Sequence, residues 1–299
     1  MEDTFRWTLV TAIAPIAWGT NYFVTHEYLP AGHPLYGAVF RALPAGLLLL
    51  ALARRLPRGV WWWRSLLLGT CNMGAFFALI YLASQLLPVS LASTIMSASP
   101  LTMALFAWAL LAERPTVLVL TGAGAGIGGV VLLLGTGSTT VDLRGVAASV
   151  AALTMSSAGY VLAKKWGRAG DGPLATTSWQ LIAGGLVLIP FAVVVEGAPP
   201  YLDLPAVAGF AYVGLVATAL AFTAWFTGLR HLSASTVGLI GLLNPVTGVL
   251  LGLLFSGETL TLRQGLGLGL VLAGIALSQI RRRAPAVRRP SQPILSGQR

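Results

Sequence analysis

Apolar residues run along this chain in windows of about twenty, which is the length that crosses a bilayer as a helix. Short polar or charged stretches separate the windows. Hydrophobic residues make up 56% of the chain and charged residues only 9%, which is too little charge to cover a soluble protein of this size. The pattern predicts ten transmembrane helices, at 7–28, 34–54, 61–82, 90–112, 115–136, 143–163, 175–196, 205–226, 233–255 and 263–280.

The second half of the chain repeats glycine, proline and polar positions of the first half 145 residues later. The matched pairs include Ser90/Ser235, Pro100/Pro245, Thr102/Thr247, Glu113/Glu258, Gly122/Gly267 and Gly129/Gly274. Five helices per half is an odd number, so the second half must lie upside down relative to the first. We predict an all-α membrane protein with ten transmembrane helices in two inverted five-helix repeats, residues 1–140 and 141–280. Residues 281–299 form a basic tail that we expect to be disordered.

Basic residues are distributed unevenly between the two sides of this arrangement. With both termini in the cytoplasm, sixteen of the nineteen Lys and Arg residues fall inside, Arg144 and Arg263 fall outside, and Arg41 lies within a span. This bias predicts cytoplasmic termini. It also explains the net charge of +10 without nucleic acid as a partner. The expected partners are the lipid bilayer and a small-molecule substrate, with the chain a monomer or a weak homodimer.

Three motifs carry a resemblance to a known family. They are AWGTNYF at 17–23, ASP at 98–100 with LAER at 111–114, and LNP at 243–245 with SGET at 256–259. With the glycine-rich fifth and tenth spans, these motifs resemble the EamA branch of the drug/metabolite transporter superfamily. The resemblance implies a ten-helix exporter. Its look-alikes include bacterial amino-acid exporters, among them the aromatic amino-acid exporters of the YddG type, which implies amino-acid efflux with broad specificity.

Four side-chain amides fall near the middle of a span, where unpaired polar groups are costly. They belong to Asn21, Asn72, Gln180 and Asn244. An amide offers both donors and an acceptor to the amino and carboxylate groups of a zwitterion. The alternative is hydrogen bonding between helices, which contributes about 0.6 kcal/mol on average. Asn21 and Asn244 adjoin the family motifs, so a substrate role is favoured for those two.

Aromatic side chains within the spans form the next group of candidates. We expect a wall for apolar or aromatic substrates, because a ring face also attracts a cationic amino group. Tyr81 and Trp225 lie near span ends, where an interfacial belt is an equal alternative. The predicted wall comprises Trp18, Tyr22, Phe77, Tyr81 and Tyr160.

Arg41 is the charged side chain that lies clearly within a span. A buried arginine binds a carboxylate, a carbonyl or a partner helix. Three interpretations remain open at this point: a substrate or gate contact, extension toward the outer headgroups, and packing onto carbonyls.

Pro100 and Pro245 occupy equivalent mid-span positions. Because proline removes a helical hydrogen bond, we predict that both act as hinges that shape the site. Glu113 and Glu258 fall at span ends, where capping of a neighbouring helix is the favoured role.

The sequence favours a secondary transporter that exports amino acids by alternating access. A multidrug or other small-metabolite carrier is the alternative within the same class. An intramembrane lipid-processing enzyme is disfavoured, because no span carries a mid-depth carboxylate or a zinc-protease motif. We expect no catalytic residues, no metal and no cofactor.

Overall fold

The computed structural model describes residues 2–30, 32–86, 95–134, 142–167, 172–255 and 262–279, and every regular element within these ranges is helical. The helices of the first half are α1 (Glu2–Tyr28), α2 (Pro34–Ala53), α3 (Trp61–Gly69), π1 (Thr70–Gly74), α4 (Ala75–Leu86), α5 (Ser99–Leu111) and α6 (Val117–Leu134). Those of the second half are α7 (Leu143–Trp166), α8 (Pro173–Glu196), α9 (Leu204–Gly214), π2 (Leu215–Leu220), α10 (Ala221–His231), α11 (Ala234–Ile240), α12 (Leu243–Phe255) and α13 (Leu262–Gln279).

The described helices fall on the ten predicted spans in order. The π-helical segment π1 joins α3 to α4 without a break, and π2 joins α9 to α10 in the same way. Within the described residues, five helices are each long and apolar enough to cross a membrane, and four shorter apolar helices accompany them. The predicted ten-helix membrane fold is confirmed.

Close contacts of glycines in α6 and α13, the fifth helix of each half, show how the halves are oriented. A Cβ at Gly122 would lie 2.6 Å from the carbonyl oxygen of Gly274, and a Cβ at Gly129 would lie 2.6 Å from that of Gly267. Only glycine permits this backbone approach. Moving toward the carboxyl end of α6 therefore means moving toward the amino end of α13, so the two helices are antiparallel. Since they are equivalent helices, the repeats are inverted.

The two π-helical segments lie at equivalent positions of the repeats, 145 residues apart. Each begins after a glycine that faces the second helix of the other half. A Cβ at Gly69 would lie 2.5 Å from the carbonyl oxygen of Gln180, and one at Gly214 would lie 3.7 Å from that of Arg41. A π-helical turn interrupts the regular hydrogen-bond ladder and is common at functional sites. The repeat therefore places one such turn in each half, beside a polar residue of the other half.

The two prolines predicted as mid-helix hinges occupy a different position. Turns at residues 97–98 and 241–242 break the helices, and Pro100 and Pro245 lie in the first turns of α5 and α12 that follow. At this position the missing N–H costs nothing, so the interruption lies just before each proline rather than at it. A hinge function of these breaks stays a prediction.

Some predicted features lie outside the described residues. They are the boundary between the halves at 140/141, the tail at 281–299, Glu258, and the side chains of Tyr22 and Tyr81.

Candidate substrate-binding site

A cavity of about 140 Å³ lies between the two halves and is lined by residues of both. Its size suits a small metabolite rather than a single water molecule. Six predicted substrate residues and one predicted hinge residue line it: Trp18, Asn21, Arg41, Phe77, Tyr160, Asn244 and Pro245. The fold thus brings together side chains that are up to 227 positions apart in the sequence, from Trp18 to Pro245.

Arg41 is buried at the edge of this cavity, with 8% of its surface exposed. Its Nε donates to the Thr218 hydroxyl at 2.6 Å, and its Nη2 donates to the carbonyl oxygen of Ala217 at 3.1 Å. The guanidinium carbon lies 4.4 Å from the centre of the Phe77 ring. Arg41 therefore packs onto a carbonyl and also lines the cavity, which combines two of the three interpretations left open above. Extension to the outer headgroups is not observed.

Two polar atoms in the cavity wall have no hydrogen-bond partner within the described protein. They are Oδ1 of Asn21, an acceptor, and Nε1 of Trp225, a donor. Both residues line the cavity, and an unpaired buried polar group costs about 1–3 kcal/mol. A substrate or water molecule in the cavity is the natural partner for each.

Three rings of the predicted aromatic wall, Trp18, Phe77 and Tyr160, line the cavity and pack with Phe222 and Trp225. The Trp18 ring lies 5.0 Å from that of Phe222 and 5.1 Å from that of Trp225. Tyr160 contacts Trp225 edge to face at 5.6 Å, and Phe77 contacts Phe222 in the same way at 6.1 Å. These are the spacings of favourable aromatic pairs, so the rings form one continuous surface.

The first turns of α5 and α12 also border the cavity. Ser99 and Asn244 line it from these two turns. The first N–H groups of a helix carry partial positive charge, which favours an anionic group nearby. Arg41 lines the same cavity and brings a full positive charge, which suits a carboxylate.

Gln180 is not part of this cavity, contrary to the prediction. Its Oε1 accepts a hydrogen bond from Asn72 Nδ2 at 2.7 Å, and its Nε2 donates to the carbonyl oxygen of Thr176 at 3.1 Å. Gln180 and Asn72 are fully buried. The pair joins α8 to π1, so the alternative of hydrogen bonding between helices holds for both residues. Gln180 does border a second cavity.

Several cavity residues were missed from the sequence. Phe222 is equivalent to Phe77 in the repeat, so the 145-residue offset was a usable signal for it. Trp225 was left undecided between belt and site, and its 3% exposure places it in the interior. Four serines were also missed. Ser99 lies in the ASP motif at 98–100, whereas the other three had no signal, because serine is common in membrane helices. The four are Ser97, Ser99, Ser156 and Ser157.

Comparison with known proteins agrees with this architecture. The model of the EamA-like transporter family matches the chain twice, at residues 5–135 and 143–279. The chain belongs to the EamA-like transporter family. Each half of this EamA-like protein thus corresponds to one copy of the family's unit, and the chain is a multi-pass membrane transporter.

Curated relatives include Protein PecM of Dickeya dadantii, which is 38% identical over 89% of this chain and 90% of its own length. A WAT1-related chloroplast protein of Arabidopsis thaliana is 30% identical over 92% of this chain and 70% of its own length. The uncharacterized inner membrane transporter YedA of Escherichia coli K12 is 26% identical over 88% of this chain and 87% of its own. A crystal structure with a TM-score of 0.78 and 20% identity covers 92% of this chain and 96% of its own, and shares the fold.

Proposed function

We propose that this EamA-like transporter carries amino acids with apolar or aromatic side chains across the bacterial inner membrane by alternating access. The observation that carries the proposal is the composition of the cavity. One arginine, two unpaired polar atoms and a continuous aromatic wall meet in a space the size of a small metabolite. The membrane-transporter family supports transport, and the cavity supports the substrate class.

The substrate carboxylate belongs near Arg41 in this proposal. A guanidinium has five N–H donors, and two of its nitrogens are already oriented by Ala217 and Thr218. These bonds fix the plane of the group toward the cavity. The first turns of α5 and α12 add partial positive charge. A carboxylate gains charge-assisted hydrogen bonds here, whereas a neutral amide does not.

The substrate amino group belongs near Asn21. Its unpaired Oδ1 accepts an N–H, and the faces of Trp18 and Trp225 lie alongside to attract a cation. The unpaired Nε1 of Trp225 is a donor, so it suits an oxygen of the substrate carboxylate rather than the amino group. The remaining aromatic surface, including Phe77 and Phe222, suits an apolar side chain.

Alternating access follows from the inverted repeats. The cavity lies between the halves, so rocking one half against the other opens it to each side in turn. The helix breaks at 97–98 and 241–242 border the cavity and are the places where the backbone can bend.

Counterflow of labelled L-phenylalanine in proteoliposomes tests the proposal. Trp18→Ala and Asn21→Ala should each reduce the initial rate by about tenfold, because each loses roughly 1.4 kcal/mol of substrate binding. Trp62→Ala is the control, since this residue is 62% exposed at the surface of the bundle. Wild-type protein that is folded but moves no amino acid would overturn the proposal.

A carrier for other aromatic metabolites is the second candidate. The extent of the aromatic wall favours it, because ring stacking does not require an amino group. Competition of counterflow by benzoate and by benzylamine, which is protonated at neutral pH, separates the two. An amino-acid carrier needs both charged groups on one molecule, so neither fragment alone should compete well.

A further inference from the structure

A second cavity of about 410 Å³ lies between α3, α7, α8 and α10, next to the first. The two cavities are separated by aromatic side chains. Phe226 lines the second cavity, Tyr160 lines the first, and their rings meet edge to face at 5.8 Å. A molecule that leaves the second cavity toward the membrane centre therefore meets the wall of the substrate site.

The lining of the second cavity is basic. Lys164, Arg230 and His231 all border it, and none of the described residues that line it is Asp or Glu. Trp61 and Phe226 supply an apolar surface beside the basic groups. A pocket with this composition favours a small anion that carries an apolar part.

Lys164 also takes part in a clasp between the two halves. Its Nζ lies 2.8 Å from Oε1 of Glu113, which follows α5, and donates to the carbonyl oxygen of Leu232 at 2.6 Å. The other carboxylate oxygen of Glu113 accepts from the backbone N–H of Ala234 at 3.2 Å. Glu113 belongs to the first half and the other three residues to the second. This clasp of Glu113, Lys164, Leu232 and Ala234 thus holds the halves together at one end of the bundle.

Lys164 belongs both to the second cavity and to the clasp. Lys164 contacts the carboxylate that closes the halves and at the same time lines a space open to a small anion. A second carboxylate in that space competes with Glu113 for the same ammonium group. Once Glu113 is displaced, the ion pair that ties α5 to α7 is lost.

We infer that the second cavity is an entry site for a carboxylate-bearing substrate, whose carboxylate replaces Glu113 at Lys164 and releases the clasp. The inference rests on the proposed function, because it assigns the first contact of the transported molecule. The positive-inside bias places this end of the bundle at the cytoplasm. An exporter would then select its anionic substrate before the central cavity is reached.

The first test measures the half-saturating concentration of L-phenylalanine in right-side-out and inside-out membrane vesicles. Lys164→Gln should raise the half-saturating concentration about tenfold at the cytoplasmic face, because one charge-assisted hydrogen bond to the substrate is lost. The half-saturating concentration at the outer face should stay unchanged. Lys164→Arg should preserve the wild-type value at the cytoplasmic face, which separates loss of charge from loss of folding. Equal values for wild type and Lys164→Gln at both faces would overturn the inference.

A second measurement decides the inference even if wild-type protein moves no phenylalanine, which would count against the proposed function alone. Ala163 lines the second cavity, so Ala163→Cys in a Cys71→Ala background reports its occupancy by the rate of thiol modification. Benzoate should slow that rate and the neutral, isosteric benzamide should not. Lys164→Gln should abolish the protection by benzoate. Equal rates with benzoate and with benzamide refute the entry site.

Discussion

Trp18 and Arg41 donate hydrogen bonds to the same carbonyl oxygen, that of Ala217. Nε1 of Trp18 lies 3.0 Å from this oxygen and Nη2 of Arg41 lies 3.1 Å from it. The donors come from α1 and α2 of the first half, and the acceptor belongs to π2 of the second half. A π-helical turn thus serves as the point where the two halves share polar contacts beside the cavity. Both donors also line the cavity, so their orientation and the geometry of the site are coupled.

The shared acceptor makes the two donors non-additive. Trp18→Phe or Arg41→Met alone leaves the Ala217 carbonyl with one side-chain donor, whereas the double variant leaves it with neither. We expect the loss of unfolding free energy in the double variant to exceed the sum of the single losses by about 1 kcal/mol. Equilibrium unfolding in mixed micelles measures this cycle. Thr154→Val, which removes a hydroxyl bonded within its own helix α7, is the control and should be additive with either. Strict additivity for Trp18 and Arg41 would contradict the shared acceptor.

The sequence predicted that Trp18 and Arg41 belong to one site, but not how they interact. Span depth was enough to place both near the membrane centre. The acceptor could not be predicted, because a backbone carbonyl has no signature in the sequence and the π-helical turn that presents it follows from packing of the two halves. An equivalent π-helical turn lies at Thr70–Gly74 in the first half. The internal repeat therefore relates the two turns to each other, although hydrophobicity alone predicts neither of them.

The Asn72–Gln180 pair should affect stability and not transport. Gln180→Leu leaves Asn72 Nδ2 without its acceptor, which costs about 1–3 kcal/mol for a buried group. We expect a lower unfolding free energy, with the half-saturating substrate concentration at the outer face unchanged, because Gln180 lines the second cavity and not the central one. Asn21→Ala is the matched comparison, because Asn21 lines the central cavity and its Oδ1 accepts no hydrogen bond within the described protein. It should raise the half-saturating concentration and leave the unfolding free energy nearly unchanged. A change in half-saturation for Gln180→Leu would return this residue to the substrate site.

The depth of a polar residue within a span does not by itself tell a substrate-binding side chain from a structural one. Asn21 and Gln180 both fall at mid-span in the sequence, and depth alone does not distinguish them, although Asn21 lies in a family motif. The difference arises because Gln180 meets Asn72 across α8 and π1 at 2.7 Å, a contact between residues far apart in the chain. An amide pairs with another amide whenever packing brings one within reach.

Glycines of α6 divide into contact and lipid-facing positions, which gives a stability prediction. A Cβ at Gly122 would lie 2.6 Å from the backbone oxygen of Gly274, whereas a Cβ at Gly124 meets nothing within 4 Å. Gly122→Ala should therefore destabilise the protein by about 1–3 kcal/mol, since backbone must move. Gly124→Ala should be neutral or stabilise by up to about 1 kcal/mol. Thermal midpoints in detergent measure both, and equal midpoints would rule out the close α6–α13 packing.

Topology can be checked at loop positions on the two sides. The charge bias predicts that Gly32→Cys is reached by an impermeant thiol reagent from outside intact cells, and that Pro57→Cys is not. Cys71→Ala removes the natural thiol for this purpose. Pro57→Cys should react once the cells are opened, which shows that the position itself is accessible. Labelling of Pro57→Cys in intact cells would reverse the orientation.

Transport should not require a proton gradient. Proton-driven carriers hold a titratable carboxylate or histidine at mid-depth, and none of the described residues that line the central cavity is Asp, Glu or His. The charged group there is Arg41, whose guanidinium stays protonated throughout the physiological range. The described carboxylates of Glu113 and Glu196 lie at helix ends, where each caps a neighbouring helix through backbone N–H groups.

We therefore expect substrate to move in either direction, down its own gradient, between two conformations of similar free energy. The measurement is L-phenylalanine flux into proteoliposomes at matched pH and under a pH gradient of either sign. Initial rates should agree within about twofold, because a gradient that is not coupled to transport supplies no free energy to it. Glu113→Gln tests the clasp carboxylate as the exception, and its rates should remain independent of the gradient. Flux that vanishes at matched pH, together with stoichiometric proton movement, would show that a coupling group acts elsewhere in the chain.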